Sequence, residues 1–289
     1  MERTKLFNKV RNIHLVSLKL AEGLFAGNYR SVFRGPGIEF DEVREYQQEE
    51  DSRLIDWNVS SRIGKPYVKT FREERELSLF FLIDVSASVF FGSGKENKFD
   101  VACMLTALLS FAAVSNNDKV GAVLFSDRIE QWIAARKGKK HTLRLLNDLV
   151  RCTPVGKGSD LALAVRTVHE SLPRRGICFI ISDFKTESGY REMTLLARKH
   201  DVIAVTITDS LDFSFPAVGY LELIDSETGK ETAGFGKSGR FRRAYHDFWY
   251  SKYDKWQQMC RKQKVDTLVI DTGDDVAEKL LAFFKKRQK

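Results

Sequence analysis

Short apolar runs that stop abruptly on polar residues recur along the chain. The clearest is Leu79-Phe80-Phe81-Leu82-Ile83, which follows the charged Glu76 and ends in Asp84-Val85-Ser86-Ala87-Ser88. An uninterrupted run this short, closed by turn residues, predicts a strand buried on both faces. Residues 120–125, 176–181, 202–207 and 265–270 repeat the pattern, and 129–134 predicts a short edge strand beside 120–125. Between them lie helical patterns at 99–114, 140–150, 160–172, 190–200, 241–262 and 274–286. The first of these is apolar nearly all round and is therefore expected inside the fold. Strands alternating with helices predict an α/β fold: a doubly wound, mostly parallel sheet with helices on both faces. Residues 211–240 interrupt the alternation and predict a β-hairpin insertion, with a strand at 219–224 and a turn at 225–229.

The N-terminal quarter reads differently. Residues 4–22 have helical spacing, Arg34-Gly35-Pro36-Gly37 predicts a turn, and 67–71 alternates like an edge strand. The stretch between, 39–53, is dense in acids and arginines and predicts a salt-bridged, solvated surface. The expected division is residues 1–75 as an N-terminal helix with a small β-rich appendage, and 76–289 as the α/β domain. Within the appendage Trp57 is expected to be buried, and Arg44, Arg53 and Arg62 to pair with nearby acids.

Composition narrows the classes. A hydrophobic share of 43% over 289 residues supports a substantial core, and a net charge of +8 is too dilute for a nucleic-acid binder. The basic C-terminus and the aromatics Trp249, Tyr250, Tyr253 and Trp256 raise that possibility, but their helical spacing favours core packing. The four cysteines are far apart and the five histidines scattered, which predicts reduced thiols and no zinc site. No secretory leader or membrane-spanning segment is legible, and the expected location is cytoplasmic.

The candidate chemistry lies where the strands end. Asp84, Ser86 and Ser88 follow the first buried strand, Ser159 follows a Gly-rich loop at 152–159, and Asp183 follows Ser182 at the end of another buried strand. Loops at the carboxyl edge of a doubly wound sheet converge at the point where strand order reverses. Two carboxylates and three hydroxyls there suit Mg2+, or Mn2+ or Ca2+, far better than a soft metal. The shell is incomplete, so water or a partner's carboxylate is expected to finish it.

Asp84-x-Ser86-x-Ser88, Gly158-Ser159-Asp160 and Ser182-Asp183 resemble the metal-ion-dependent adhesion site of von Willebrand factor A domains. The upstream block is more specific. Gly35-Pro36-Gly37-Ile38-Glu39-Phe40-Asp41-Glu42-Val43-Arg44-Glu45-Tyr46, Asp51-Ser52-Arg53-Leu54-Ile55-Asp56-Trp57, Ser61-Arg62 and Glu73-Glu74-Arg75-Glu76 resemble the family catalogued as domain of unknown function fifty-eight. The likeness runs from about Arg34 to the end and includes the Asp225-Ser226-Glu227-Thr228-Gly229 turn. The chain departs from the pattern at Ser159, usually Thr, and at Glu49-Glu50-Asp51, where the family has a Gly-Asp pair. The resemblance implies a von Willebrand factor A-like binding module rather than an enzyme. It further implies an adaptor that works with a MoxR-type AAA+ ATPase in protein maturation or complex assembly. Metal would be held by Asp84, Ser86, Ser88, Ser159 and Asp183 and would bridge to an acidic partner.

Two other classes fit the residues less well. A metal-dependent, phosphatase-like hydrolase also begins with an apolar strand ending in Asp, but it needs a second Asp where Ser86 stands. A nucleotide-binding loop fits neither Gly92-Ser93-Gly94, which lacks a third glycine, nor Gly236-Lys237-Ser238, which has Glu231 where the first glycine belongs.

Overall fold

The computed structural model describes residues 39–47, 51–72, 77–186 and 188–287; the expected helix over 4–22 and the turn at 34–37 lie outside the described residues. Two compact units divide between Glu76 and Leu77.

The smaller unit is a two-stranded antiparallel sheet, β1 (Glu39–Glu45) against β2 (Tyr67–Arg72), with an irregular register between Phe40 and Glu42. β1 was not legible, because its charged residues resemble a solvated surface more than the alternation of a half-buried strand. Between the strands sits a short helix, α1 (Trp57–Ile63). Asp56 caps it by accepting from the Asn58 and Val59 N–H groups, and Gly64 closes it in the left-handed region, φ 80°. The expectation that Trp57 is buried is wrong: it is 70% exposed. Trp57 occupies the first position of a helix of seven residues whose buried residue is Ser60, and the Ser60 hydroxyl accepts the Tyr67 N–H at 2.8 Å. Arg53 reaches Asp51 at 3.9 Å with both side chains in solvent, a pairing of little energetic weight.

The larger unit carries a six-stranded sheet in the order β10-β7-β6-β3-β4-β5. The strands are β3 (Ser78–Asp84), β4 (Lys119–Phe125), β5 (Ile129–Arg136), β6 (Ile177–Ser182), β7 (Asp201–Thr208) and β10 (Asp266–Asp271). All neighbours are parallel except β5, which pairs antiparallel with β4 at the sheet edge. The mixed α/β class with a central, mostly parallel sheet therefore holds. β3 and β6 are buried along almost their whole length, as continuous apolar runs require.

Side-chain alternation sorts the two faces. Phe80 and Leu82 of β3 and Cys178 and Ile180 of β6 share a core with α4 (Leu161–Ser171), α5 (Tyr190–Lys199) and α7 (Gly239–Lys262). The opposite face carries α2 (Lys98–Ser115), which packs on β3, β4 and β7. α2 is long and apolar enough to cross a membrane by length and composition, and 78% of it is buried in this fold. It opens with a capping box in which Asn97 and Asp100 each accept the other's backbone N–H. α3 (Lys139–Val150) and α8 (Val276–Arg287) flank α2. After β7 come the one-turn helix α6 (Ser210–Phe213) and a separate hairpin of β8 (Tyr220–Ile224) and β9 (Glu231–Phe235). All four cysteines are free, with Cys103, Cys178 and Cys260 buried. The aromatics of α7 are only partly in the core: Trp256 is buried and stacks on Phe184, whereas Tyr250 is exposed.

Candidate functional site

Strand order reverses between β3 and β6. The chain runs from β3 outward to β4 and β5, then returns to the other side of β3 with β6. The crevice beyond the carboxyl ends of these two strands is where open α/β sheets place ligands. β3 delivers Asp84 to it, and β6 delivers Ser182 followed by Asp183.

Asp84 is buried and surrounded by donors. Its Oδ1 accepts the Ser86 N–H at 2.8 Å, and its Oδ2 accepts the hydroxyls of Ser159 at 2.9 Å and Ser182 at 2.7 Å. Ser86 and Ser88 lie on the following turn with their hydroxyls 3.2 Å apart. Burial pushes the Asp84 carboxyl above its ordinary value, and the nearby charge of Asp183 adds to the effect; bonds from Ser86 and Ser182 oppose it. The structure thus brings Asp84, Ser86, Ser88 and Ser159 into one network. Ser182 belongs to it as well, although its place as the last residue of a strand gives no signal of that role in the sequence.

Ser159 is free for this role because its neighbour does the capping. Asp160 Oδ1 accepts the Leu163 N–H at 2.9 Å and so starts α4. The loop before it is tied down by Glu130 of β5. One oxygen of Glu130 accepts the Ser126 hydroxyl at 2.6 Å, the Gly156 N–H at 2.8 Å and the Val155 N–H at 3.1 Å. A Cβ at Gly156 would lie 2.2 Å from Ser126 Oγ, so only glycine fits there without displacement. The Ala87 N–H donates to the Lys157 carbonyl at 2.9 Å, joining this loop to the Asp84 turn.

Asp183 is held differently. Lys98, at the first turn of α2 and 0% exposed, places its Nζ 3.2 Å from Asp183 Oδ2 and 2.8 Å from Asp212 Oδ2. Lys185 adds a second ammonium 2.7 Å from Asp212 Oδ1. Burial works against a charged Asp212, yet Lys98 and Lys185 outweigh it and hold its carboxyl below the ordinary range. Sequence reasoning missed both partners. A lysine opening an apolar helix looks like a solvated cap, and Asp212 lies 114 residues away. The residue after Asp183, Phe184, adopts φ 49°, a left-handed conformation that is costly for an aromatic residue. Its ring is stacked on Trp256 with centroids 4.0 Å apart.

The hairpin supplies a fourth carboxylate. The charges of Asp183 and Asp84 are felt at the carboxylate of Glu227. Burial raises the Glu227 carboxyl, as do those two charges. Beyond these groups, Phe90 and Phe91 are exposed on the segment after Ser88, and Val155 is 76% exposed on the Gly-rich loop.

Four carboxylates (Asp84, Asp183, Asp212 and Glu227) therefore share two lysines, and the lysines contact only Asp183 and Asp212. Asp84 is compensated by neutral donors alone. Hard oxygen donors with surplus negative charge fit a divalent cation of the Mg2+ type. Among the described residues, however, no group of three or more His, Cys, Asp or Glu side chains is placed to hold a metal ion, so any such site must draw on the serines.

The family model described as protein of unknown function DUF58 matches residues 42–252. Uncharacterized proteins of Mycobacterium bovis and Mycobacterium tuberculosis are each 31% identical over 228 residues, covering 78% of this chain and 72% of theirs. Among solved structures, BatB, a conserved hypothetical protein of Bacteroides thetaiotaomicron, is similar at 13% identity and a TM-score of 0.49, covering 73% of this chain and 98% of that one. An aerotolerance-related membrane protein of Bacteroides fragilis is similar at 14% identity and a TM-score of 0.49, covering 73% and 99%. With its matched block reaching from β1 into α7, the chain belongs to the DUF58 family of proteins of unknown function.

Proposed function

We propose that this protein is a non-catalytic, cation-dependent protein-binding adaptor with a von Willebrand factor A-like domain. The observation that carries the reading is the network around Asp84, in which the Ser86 N–H and the hydroxyls of Ser159 and Ser182 converge on one buried carboxylate at the carboxyl edge of the sheet. Mg2+ or Mn2+ would be held by Asp84, Ser86, Ser88, Ser159 and Asp183, directly or through water, and would attract an acidic side chain of a protein partner. Phe90, Phe91 and Val155 are exposed apolar side chains on the segments that carry these groups, which suits protein contact. The family resemblance adds a MoxR-type AAA+ ATPase as working partner, in protein maturation or complex assembly. A phosphatase-like hydrolase is the weaker alternative, because Ser86 cannot serve as the acid/base that chemistry needs.

A second reading has one observation in its favour. Lys98 already neutralises Asp183 within the fold, so the network could be a metal-free structural lock. Calorimetric titration of Mg2+ and Mn2+ into metal-stripped protein separates the two. The adaptor reading expects saturable binding that Asp84→Ala or Ser86→Ala abolishes while the circular dichroism spectrum is retained. Heat-silent titrations with and without a Glu-containing peptide, and no Mn2+ retained on dialysis, would leave the lock as the answer.

A further inference from the structure

The aromatic stripe of α7 faces a cleft. Trp249, Tyr253 and Trp256 recur at i, i+4 and i+7 and so share one side of the helix. The cleft lies between that side and the carboxyl ends of β6 and β7. Phe213 of α6 completes the wall, its ring edge-on to Tyr253 with centroids 5.5 Å apart.

The floor is fixed by Trp256. This residue is 3% exposed, stacks on Phe184 and donates its Nε1–H to the Thr206 hydroxyl at 3.2 Å. The cleft measures about 40 Å³, is open on one side and has mainly apolar walls. Sites for large cofactors run to roughly 300–1,000 Å³, so this one admits the edge of a single small ring.

The charged groups of the cleft are unevenly disposed. Its carboxylates, Asp183 and Asp212, are each matched from within the fold by Lys98, and Lys185 adds a second partner to Asp212. Its ammoniums lie against aromatic faces. Lys185 Nζ is 5.2 Å and Lys252 Nζ 5.7 Å from the centroid of a Trp249 ring, and Lys252 Nζ is also 5.0 Å from the Phe248 ring. An ammonium carries three N–H donors, so a lysine held on a ring face can still reach a ligand oxygen.

We infer that this cleft binds a small aromatic carboxylate, with its ring against Trp249 and Trp256 and its carboxylate between Lys185 and Lys252. Flat apolar walls with a few convergent polar groups are what such a ligand requires. The inference goes beyond the cation-dependent reading above and stands without it. Asp183, Phe184 and Lys185 all line the cleft, so an occupant touches the segment that carries the Asp183 carboxylate.

Benzoate is the probe, added to the full chain, and the indole N–H signals of a proton–nitrogen correlation NMR spectrum are the readout, assigned with single Trp→Phe variants. Of the four tryptophans, Trp249 and Trp256 line the cleft, whereas Trp57 and Trp132 do not. Benzoate is expected to shift the Trp249 and Trp256 signals saturably, with a dissociation constant of about 1 mM, and to leave Trp57 and Trp132 in place. Benzyl alcohol has the ring without the charge and acetate the charge without the ring; each should bind about tenfold more weakly. Lys252→Met keeps the aliphatic stem and should bring benzoate down to the level of benzyl alcohol. Trp249 and Trp256 signals that stay put in benzoate would overturn the site. Equal affinity for benzoate and benzyl alcohol in the native protein would overturn the carboxylate, whatever Lys252→Met does to folding.

Discussion

Lys98 and Asp183 form an ion pair of 3.2 Å, with the lysine side chain wholly out of solvent and the carboxylate nearly so. Asp212 completes the arrangement from the other side at 2.8 Å. A buried pair of this kind adds little compared with an apolar replacement of the whole cluster, but breaking it from one side is costly, because the remaining charge is left unmatched.

Lys98→Met is therefore expected to lower stability by about 3–5 kcal/mol. Lys98→Met combined with Asp212→Asn should recover part of that loss, since the double variant buries one fewer unmatched charge. Urea denaturation followed by tryptophan fluorescence measures both. A loss under about 1 kcal/mol for the single variant would mean that water reaches Asp183 and Asp212 freely.

Ser182 donates to the same oxygen of Asp84 as Ser159 does, at 2.7 Å, and itself accepts the Phe184 N–H at 3.1 Å. Ser182→Ala strips a donor from a buried carboxylate and an acceptor from a strained backbone. The expected cost is about 1–3 kcal/mol, seen as a lower denaturant midpoint. Ser182→Thr should retain most of the stability, and a variant series in which Ala and Thr behave alike would contradict the bond.

His200 is 2% exposed; its Nδ1 accepts the Gly176 N–H at 3.2 Å, and its Nε2 is buried without a partner among the described residues. Burial pushes its pKa down to about 4, aided by the positive charges of Lys199, His169 and Arg175. The folded protein thus resists a proton that the unfolded chain accepts near pH 6.5. Stability from this group is complete above that value and is lost as pH falls toward 4, by up to about 3 kcal/mol. His200→Gln should flatten the fall of melting temperature between pH 6.5 and 4. Parallel curves for the two proteins would show that His200 is protonated in the fold without penalty.

The sheet was legible because its strands satisfy two faces at once. Leu79 to Ile83 and Ile177 to Ile181 have no polar position to spare, so periodicity and end-point could be read together. Asp84, Ser159 and Asp183 could be placed because each sits where such a run ends or a helix begins. What stayed hidden depends on distant chain. Lys98 takes its meaning from Asp212, and Glu130 from a loop at 155–156; neither pairing leaves a periodic trace. β1 was hidden for another reason: Glu39, Asp41, Glu42, Arg44 and Glu45 read as a charged surface, and its pairing partner begins 22 residues after β1 ends. Trp57 departs from the expected burial because the small unit offers it the first turn of a helix of seven residues rather than a core.

The stack between Phe184 and Trp256 has a mechanical side. Trp256 lies on a helix of 24 residues, about 36 Å of rigid rod at 1.5 Å per residue. Phe184 is the residue immediately after Asp183, already turned into the left-handed region. Together with the Trp256 Nε1–Thr206 bond and the Lys185 ammonium over Trp249, the stack couples that rod to the backbone that aims the Asp183 carboxylate. Force applied at the flank of the molecule is therefore felt at the crevice, even though the two are far apart along the chain.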